Sequence, residues 1–453
     1  MTLENVVRMQ IAGDVRLPLN GLPKAVTSKH FGLMVNMPDA GQIDTTITSD
    51  RETETSRFRE VSIGTMTLAW EEPLQRIEIY RGELPDQVAR ELQVLEENSA
   101  YVNFQSAKWQ ECCQKIQIKN RSVLDIHVIG YRENEAVVHF PLSKAIQFGI
   151  NYLQWRADNL SDYCSPIIHR DFVDEFNKFD VDKLLSEIAH CLEDIDLIYL
   201  RKQPEKLHGY QNPCNGSRSL PFYIKAHSTR LTENWKSYYE IKRSSKTRRR
   251  LKEKRSALQK KGSLDFCMMT DAATASQMVE SGLLMKSQQL RELNHYDTFE
   301  DSSSRCLLSA YFGRHIENET WVAGAFMDDE PIAIAFGFKR NDNWFLYQLS
   351  MKDDEFGKYS PGTHLMMFIL SKAIDGNCKL FEFGLGDEPY KKEWCEIEDE
   401  TRIELKALTW KGWIACLIHR QKYKLLRHLV HGGKLWRAAK ASQKLLKQAG
   451  LAG

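Results

Sequence analysis

The chain has 453 residues, of which 42% are hydrophobic and 27% are charged, the composition of an ordinary globular protein. This length exceeds what one hydrophobic core usually organises, so we expect two domains with extensions. No apolar run approaches the roughly 20 residues that cross a bilayer, and the first residues lack the apolar segment of a signal peptide. The sequence argues against a secreted or membrane-spanning protein, and we expect a cytoplasmic one.

The ten cysteines form no C-x-x-C pair, and Cys112 and Cys113 are adjacent. This spacing fits neither a zinc site nor a disulfide framework. Cys and His residues also fail to recur at the helical spacings that hold a metal ion. We therefore expect reduced, buried thiols and no metal.

Basic residues are concentrated in two segments, although the formal net charge is only +1. Residues 242–261 contain eleven Lys or Arg and one Glu, and residues 406–453 contain eleven Lys or Arg and no Asp or Glu. The rest of the chain has 40 basic against 60 acidic residues. Two basic segments on an acidic body indicate anionic partners rather than a particular fold.

Regular structure is predicted from residue 73 onward, after a poorly structured extension at 1–72 that is rich in turn-forming residues. Alternating apolar residues predict strands, and apolar residues at 3.6-residue spacing predict helices. In residues 73–225 the predicted order is a strand in QRIEIY, a helix in VARELQVLEEN, strands in LDIHVIGY, EAVVHFPL and NYLQWRA, a helix in VDKLLSEIAHCLED and a strand in IDLIYLRK. This order predicts an α/β unit.

Residues 226–408 are predicted to repeat this theme. A basic helix is expected at 234–261 and a second helix at 272–291. Turns at DDE and NDN separate strands in TWVAGAFM, PIAIAFGFKR and NWFLYQLSM, and a helix in THLMMFILSKAID precedes a strand in KLFEFGLG. We expect an α/β (α+β) fold with a mixed, largely antiparallel sheet flanked by helices in each half, followed by a basic helical tail at 409–453.

The segment 358–373 is a loop that leads into a helix. Ser360 is suited to cap the helix, Pro361 to occupy its first turn, and Gly362 to allow another backbone to approach closely. Free N–H groups at such a helix start suit a pyrophosphate. The same pattern is also typical of an ordinary capped core helix, so this segment alone does not decide between the two interpretations.

Several short motifs occur in a fixed order along the chain. They are Pro141-Leu142, Asp162-Tyr163, Ser244 to Arg249 within the basic helix, Ser360-Pro361-Gly362, and Phe381 to Lys391 with its Gly-Asp-Glu-Pro-Tyr-Lys run. Over about residues 100–410 the chain resembles the bacterial acetyltransferases named for cellulose and exopolysaccharide biosynthesis (the CelD/BcsL-type family). These form a branch of the GNAT superfamily related to FemAB-type transferases. The resemblance implies tandem GNAT-like halves, of which the first is degenerate and shapes the acceptor cleft.

The resemblance implies an acyl-CoA-dependent N- or O-acyltransferase, with acetyl-CoA as the expected donor. The acceptor amine or hydroxyl, on a sugar or envelope polysaccharide precursor, would attack the thioester directly. Most GNAT enzymes grip the pyrophosphate with Arg/Gln-x-x-Gly-x-Gly/Ala, whereas the loop from Lys358 to Thr363 has one glycine and a proline. This departure leaves open transfer from aminoacyl-tRNA, as in FemAB-type transferases. A catalytically inactive, membrane-associated scaffold of polysaccharide synthesis, which would use the basic tail, is a second alternative.

The resemblance also implies site residues. Donor binding is expected from Lys358, Ser360, Gly362, Thr363 and Ser350, and acceptor binding from Asp162, Tyr163 and Lys391. Tyr390 is the candidate acid for the leaving thiolate, or else a packing tyrosine. The candidate bases are Glu388, Asp387 and His295, although Asp387 also suits a helix cap and a lone loop histidine is often only exposed.

The basic tail carries Ile414, Ile418, Leu425 and Leu429 on one helical face, with basic residues elsewhere and tryptophans nearby. A basic amphipathic helix with Trp is typical of a helix that lies on anionic lipid. Docking on the acidic body of the same protein explains the same pattern. Both interpretations stay open, and the first would place the protein at the inner face of the membrane.

Overall fold

The computed structural model describes residues 65–69, 73–99, 104–117, 123–176, 178–207, 210–216, 219–293, 297–340, 342–352, 355–386 and 388–431. Of the described residues, 65–286 and 299–431 group into one compact unit, and those within 287–298 belong to another. In the second unit, the Ser287 hydroxyl donates to the Asp297 carboxylate. Most of the predicted extension at 1–72 lies outside the described residues, but residues 65–69 of it form a strand.

The strands are β1 (Thr65–Ala69), β2 (Arg76–Arg81), β3 (Val123–Arg132), β4 (Glu135–Gln147), β5 (Ile150–Trp155), β6 (Ile167–Ile168), β7 (Leu197–Pro204), β8 (Lys206–Leu207), β9 (Tyr210–Gln211), β10 (Leu220–Arg230), β11 (Leu264–Met268), β12 (Thr320–Met327), β13 (Glu330–Arg340), β14 (Asn343–Met351), β15 (Leu380–Leu385) and β16 (Ile397–Ala407). The helices are α1 (Asp86–Glu97), α2 (Ala107–Gln117), α3 (Val173–Phe176), α4 (Val181–Cys191), α5 (Trp235–Lys242), α6 (Ser245–Gln259), α7 (Ala272–Glu292), α8 (Ser302–Arg314), α9 (Pro361–Asp375), α10 (Pro389–Trp394) and α11 (Trp410–His431). Short 3-10 turns occupy Arg170–Phe172 and Gly357–Tyr359.

One large sheet runs through both halves. Its strand order is β1-β2-β3-β4-β5-β7-β16-β10-β15-β14-β13-β12-β11, with β6 beside β4, while β8 and β9 pair separately. The pairs β5–β7 and β14–β15 are parallel, and the other pairs are antiparallel. The predicted α/β class with a mixed, largely antiparallel sheet flanked by helices is confirmed.

The two halves have the same order of elements. In the first half an antiparallel meander β2 to β5 is followed by α4 and by β7, which runs parallel to β5. In the second half the meander β11 to β14 is followed by α9 and by β15, which runs parallel to β14. Each half then receives a strand from the other, because β16 pairs with β7, β10 pairs with β15, and β10 and β16 pair at the centre.

The hydrophobic core lies on both faces of this sheet. In the first half, α4 buries Leu184, Leu185 and Ile188 against β2 to β5, and α1 packs on the opposite face. In the second half, α9 and α5 pack on β12 to β15. The helix α11 covers the central strands β7, β10 and β16.

The single basic helix predicted at 234–261 is wrong, since two helices, α5 and α6, occupy this segment. The first ends at Lys242 with Arg243 as its C-cap. Ser244 caps the second, with its hydroxyl accepting from the Thr247 amide at 3.2 Å, and such a cap competes with a continuous helix. Arg243 has extended backbone and is buried, with its guanidinium 3.8 Å from the Trp394 ring centroid. In α6, Leu251 and Leu258 are buried and form its apolar seam.

All ten cysteines are free thiols. The expectation of burial holds for Cys112, Cys113, Cys164, Cys214, Cys378 and Cys416, but Cys267 and Cys306 are exposed. Within the described ranges, no three or more His, Cys, Asp or Glu residues are arranged to hold a metal ion. The helices of that part of the chain are also too short or too polar to cross a membrane.

Candidate active site

Strands β14 and β15 separate towards their carboxyl ends. They pair in register only at Asn343 with Leu380, Trp344 with Phe381, and Phe345 with Glu382. Beyond these pairs, β14 continues to Met351 and β15 to Leu385 without pairing with each other. Because ladder hydrogen bonds stop there, peptide groups on the facing edges are available to another partner.

A loop from the first half enters this opening. The Tyr347 hydroxyl on β14 donates to the Leu160 carbonyl at 3.0 Å, and the Leu385 amide on β15 donates to Asp162 Oδ2 at 3.1 Å. The Lys202 ammonium donates to the carbonyls of Asp158 and Ser161 at 2.7 and 2.9 Å, which holds the loop in shape. The first half therefore supplies one wall of the opening in the second.

Gly384 is required where this loop meets β15. Its φ of +69° lies in the left-handed region, and a Cβ there would lie 2.4 Å from Asp162 Oδ2. We expect Gly384→Ala to destabilise the fold by about 2–4 kcal/mol, since it adds backbone strain and a steric overlap. Thermal unfolding measures the loss. Gly376→Ala is the control, because a Cβ there meets its neighbours at 3.4 Å or more, and an equal loss in both variants would contradict the prediction.

A cluster of charged side chains surrounds the end of β15. Lys391 is 3% exposed, and its ammonium donates to the Leu385 carbonyl at 2.5 Å and pairs with Glu388 Oε2 at 3.0 Å. Burial raises the pKa of Asp162, although Lys202 and Lys391 act against it. The pKa of Glu388 is lowered, since Lys391 and Lys286 outweigh the effect of burial. Burial therefore disfavours the ionised form of Asp162, whereas the lysines favour the ionised form of Glu388.

Tyr390 lies in the first turn of α10, beside the same carboxylates. Its ring is 6.3 Å from that of Phe383 and packs on the core of the second half. Burial, followed by the charge of Glu388, raises the pKa of Tyr390. The phenol therefore stays protonated and can donate a hydrogen bond, but it is a weaker acid than a free tyrosine.

The loop before α9 has a different geometry from the predicted cap. Ser360 occupies the N-cap position with φ +62° and ψ +53°, but its side chain does not cap the helix. Instead, Ser360 Oγ accepts from the Lys254 ammonium on α6 at 2.8 Å. A residue before proline is disfavoured in the right-handed helical region, which accounts for Ser360 lying outside it. The predicted side-chain cap is thus wrong, because Ser360 Oγ accepts no hydrogen bond from the amides at the start of α9.

A basic groove lies between α5, α6 and α9, next to this loop. It has a volume of about 510 Å³ and is lined by the cations Lys236, Arg248, Arg249, Lys252 and Arg255, the carboxylate of Glu240, and the rings of Trp235 and Tyr239. His364, one turn into α9, also lines it and is 3% exposed. The Tyr359 backbone is within hydrogen-bonding reach of its ring. Burial and the charges of Arg255 and Lys254 lower the pKa of His364 to about 4, so the ring is neutral.

The equivalent helix of the first half starts differently. The Asp180 carboxylate caps α4 by accepting from the Lys183 amide at 3.0 Å. A carboxylate at that position occupies the site where an anion would otherwise bind and repels it. Only the α9 start, out of these two equivalent helices, combines an absent side-chain cap with a lysine at its loop.

The other predicted site residues have the following positions. Lys358 is exposed, Thr363 donates its amide to the Ser360 carbonyl at 3.1 Å, and Gly362 is buried near Met351. Ser350 is buried, and within the described ranges its hydroxyl has no partner. Tyr163 is 3% exposed and packs edge-on against Phe345 at 5.3 Å, so its ring belongs to the core rather than to an accessible surface. Asp387 and His295 lie outside the described residues.

Sequence reasoning missed four residues of this site: Lys202, Lys254, Lys286 and His364. The cationic character of α6 is evident from the sequence, but which of its cations meets Ser360 depends on how α6 packs on α9. His364 is a lone histidine in an apolar run, which carries no signal of a groove nearby.

The comparisons with known proteins give one family match. Residues 245–392 match the model of the acetyltransferase (GNAT) domain, and no curated protein is similar to the chain. Among solved structures, FemX shares 10% identity over 72% of this chain and 97% of its own, with a TM-score of 0.47. L-PGS from Bacillus licheniformis shares 9% over 76% and 98%, with a TM-score of 0.45. A tandem GNAT protein from the clavulanic acid biosynthesis pathway shares 11% over 73% and 99%, with a TM-score of 0.37.

The matched segment contains most of the elements that build the opening and the groove. It runs from α6, which supplies Lys254, through β14 and the loop before α9, to Lys391 in α10. Residues 245–392 form a GNAT acetyltransferase domain, and the chain is an acyltransferase.

Proposed function

We propose that the protein transfers an acyl group, in the first instance acetyl, from acyl-CoA to an amine or hydroxyl of a sugar or envelope polysaccharide precursor. The observation that carries the donor assignment is the start of α9. Its loop holds no side-chain cap, receives the Lys254 ammonium, and lies beside the opening between β14 and β15. The sugar acceptor rests on the resemblance of the motifs from Ser360 to Lys391 to polysaccharide acetyltransferases.

The residues present fit a pyrophosphate-bearing donor. Lys254 offers positive charge and the Gly362 amide offers an N–H group to phosphate oxygens, whereas Pro361 has no N–H and the Thr363 amide donates to the Ser360 carbonyl. Gly362 adds no side chain between that turn and the end of β14, where Met351 Sδ lies 3.4 Å from its would-be Cβ. The thioester would then reach the opening, where β14 beyond Phe345 no longer pairs with β15 and could offer an amide to an oxyanion.

The charged cluster can move the protons of this transfer. Asp162 takes the proton of the attacking amine or hydroxyl, since burial raises its pKa above the ordinary value of an aspartate. Glu388, held ionised by Lys391, orients the acceptor by accepting a second hydrogen bond. As the carbon–sulfur bond breaks, Tyr390 donates its proton to the sulfur and recovers one from Asp162 through solvent.

The donor class is tested by thermal unfolding with acetyl-CoA, longer acyl-CoAs and aminoacyl-tRNA, followed by thiol release over a panel of aminosugars. We expect acyl-CoA to raise the unfolding temperature and a sugar acceptor to release CoA thiol. If only aminoacyl-tRNA stabilised the protein, the donor would be aminoacyl-tRNA and not acyl-CoA. Binding of no donor, with no thiol release on any acceptor, would favour an inactive scaffold.

We expect Tyr390→Phe to lower kcat by about a hundredfold, the lower end of what a positioned acid contributes. The change removes only the hydroxyl, and the ring contact with Phe383 remains. Steady-state thiol release measures the effect. Acyl-CoA should stabilise the variant as it stabilises the unaltered protein, and an unchanged kcat would remove Tyr390 from the mechanism.

We further propose that the protein acts in the cytoplasm at the inner face of the membrane, where an envelope precursor would be available.

A further inference from the structure

Helix α11 has one buried face and one exposed apolar face. Ala415, Cys416 and Tyr423 are buried in the cluster with β7, β10 and β16. On the other side, apolar side chains at helical spacing are exposed: Trp410 by 71%, Trp413 by 60%, Ile414 by 44% and Leu417 by 41%. A soluble protein rarely leaves two neighbouring tryptophans in water, so this face indicates a partner.

A second exposed aromatic lies on the turn between β4 and β5. Phe148 is 62% exposed and has φ +53°, followed by Gly149 at φ +73°. Turns of this kind favour Asn or Asp before the glycine, because a bulky residue is strained in the left-handed region. A phenylalanine that protrudes into water from a strained turn contributes nothing to the turn itself. Its presence is therefore best explained by contact with another surface.

Asp196 ties this turn to the start of α11. Its Oδ2 accepts from the Asn151 amide at 2.9 Å, at the beginning of β5. Its Oδ1 accepts from the Thr409 hydroxyl at 2.5 Å, and its carbonyl accepts from the Leu408 amide at 2.9 Å. The Phe148 turn and the first turn of α11 are thus held at the same end of the sheet.

The charges around this surface favour an anionic partner. Lys411 and Lys424 are exposed on α11, and residues 406–453 contain no Asp or Glu. The nearby loop before β7 has two exposed acids, Glu193 and Asp194, of which Asp194 is paired with Lys144 at 2.5 Å. A second copy of the same basic face would be repelled, and the segment 432–453, with five Lys or Arg and no acid, does not complement it either.

We propose that Trp410, Trp413, Ile414, Leu417 and Phe148 form a surface that inserts into the headgroup region of an anionic lipid bilayer. Tryptophan and phenylalanine beside lysine are the residues that such interfacial surfaces use. This proposal rests on the proposed location of the enzyme at the membrane and names the surface that holds it there. Both interpretations of the tail then apply to α11, because one of its faces packs on the body of the protein and the face with Trp410 and Trp413 is exposed.

The test is co-sedimentation of the full chain with phosphatidylcholine vesicles, with and without phosphatidylglycerol. We expect binding that requires phosphatidylglycerol and weakens with salt. The triple variant Trp410→Ser/Trp413→Ser/Phe148→Asn should bind the vesicles at least about tenfold more weakly. Its unfolding temperature and its thiol release on a soluble acceptor should be unchanged. The matched control Val94→Ser/Leu284→Ser removes exposed apolar groups from α1 and α7 and should bind normally.

Two outcomes would overturn the proposal. One is normal vesicle binding by the triple variant. This result overturns the proposal whether or not deletion of residues 432–453 abolishes vesicle binding. The other is absence of vesicle binding by the unaltered chain, with light scattering showing a dimer that the triple variant dissociates. If the unaltered chain binds vesicles but releases no thiol, the result counts against the proposed acyl transfer. The proposed lipid-binding surface would still be supported.

Discussion

Replacing Lys254 and Arg255 together by glutamine is expected to raise the KM for acyl-CoA about tenfold or more while kcat changes little. Lys254 reaches the loop before α9 through Ser360 Oγ at 2.8 Å, and Arg255 lines the adjoining groove. One charge-assisted contact to a phosphate contributes about 1.5–3 kcal/mol, so even one lost contact gives the expected change. Both side chains reach the surface of α6, which leaves the core seam of the helix intact.

The matched control for this pair is Lys260→Gln/Lys261→Gln, at the far end of the same basic segment. Both residues are exposed, and the change in net charge is the same. We expect a near-normal KM for the control, and a weaker dependence of KM on salt in the Lys254/Arg255 variant than in the unaltered protein. Equal effects of the two pairs would mean that the groove attracts the donor only through its overall charge, and the assignment of the α9 loop would then be wrong.

The fold class could be predicted because both meanders have strong local signals. The strands β3, β4, β12 and β13 are nearly continuous apolar runs, and polar residues at 132–134 and 328–330 mark the turns between them. The turn at Glu133 and Asn134, both with positive φ, is determined by residues that are neighbours in the sequence. Such elements depend on local sequence, and sequence reasoning found them.

The central strands could not be predicted in the same way. β16, IEDETRIELKA, and β10, LPFYIKAHSTR, mix charged and apolar residues because each is paired with a strand from the other half. Their burial comes from that long-range pairing and from α11, so the period-two signal is weak. The helices α2 and α8 were missed as well, and the two lie against each other: Cys112 Sγ lies 3.6 Å from the Leu307 carbonyl.

The candidate site likewise combines residues that local motifs indicate with contacts that only long-range packing creates. Ser360, Gly362, Glu388, Tyr390 and Lys391 lie within 31 residues of sequence, and their motifs drew attention to them. Asp162 also lies in a motif, but its contact with Leu385 spans 223 residues and could not be foreseen. Their other partner, Lys254, comes from α6. Motifs locate groups that react or bind, whereas the packing of the halves determines which cation or carboxylate faces them.

Lys391→Met is expected to lower the free energy of unfolding by about 2–3 kcal/mol and to reduce kcat/KM at least a hundredfold. Removing one member of a buried ion pair costs about 3–5 kcal/mol, and the half-exposed Glu388 side chain reduces that cost by screening. Asp162 and Glu388 would then repel each other without the intervening ammonium, and the Leu385 carbonyl would lose its donor.

The control for this variant is Lys392→Met, one residue later and exposed, which should be close to neutral in both measurements. A second comparison separates stability from catalysis. In Lys391→Met/Glu388→Gln the uncompensated carboxylate is gone, so we expect part of the lost stability to return. Activity should stay low, because the group that orients the acceptor is missing. Recovery of activity together with stability would show that Lys391 and Glu388 serve only the fold, and the acceptor site would then have to lie away from the end of β15.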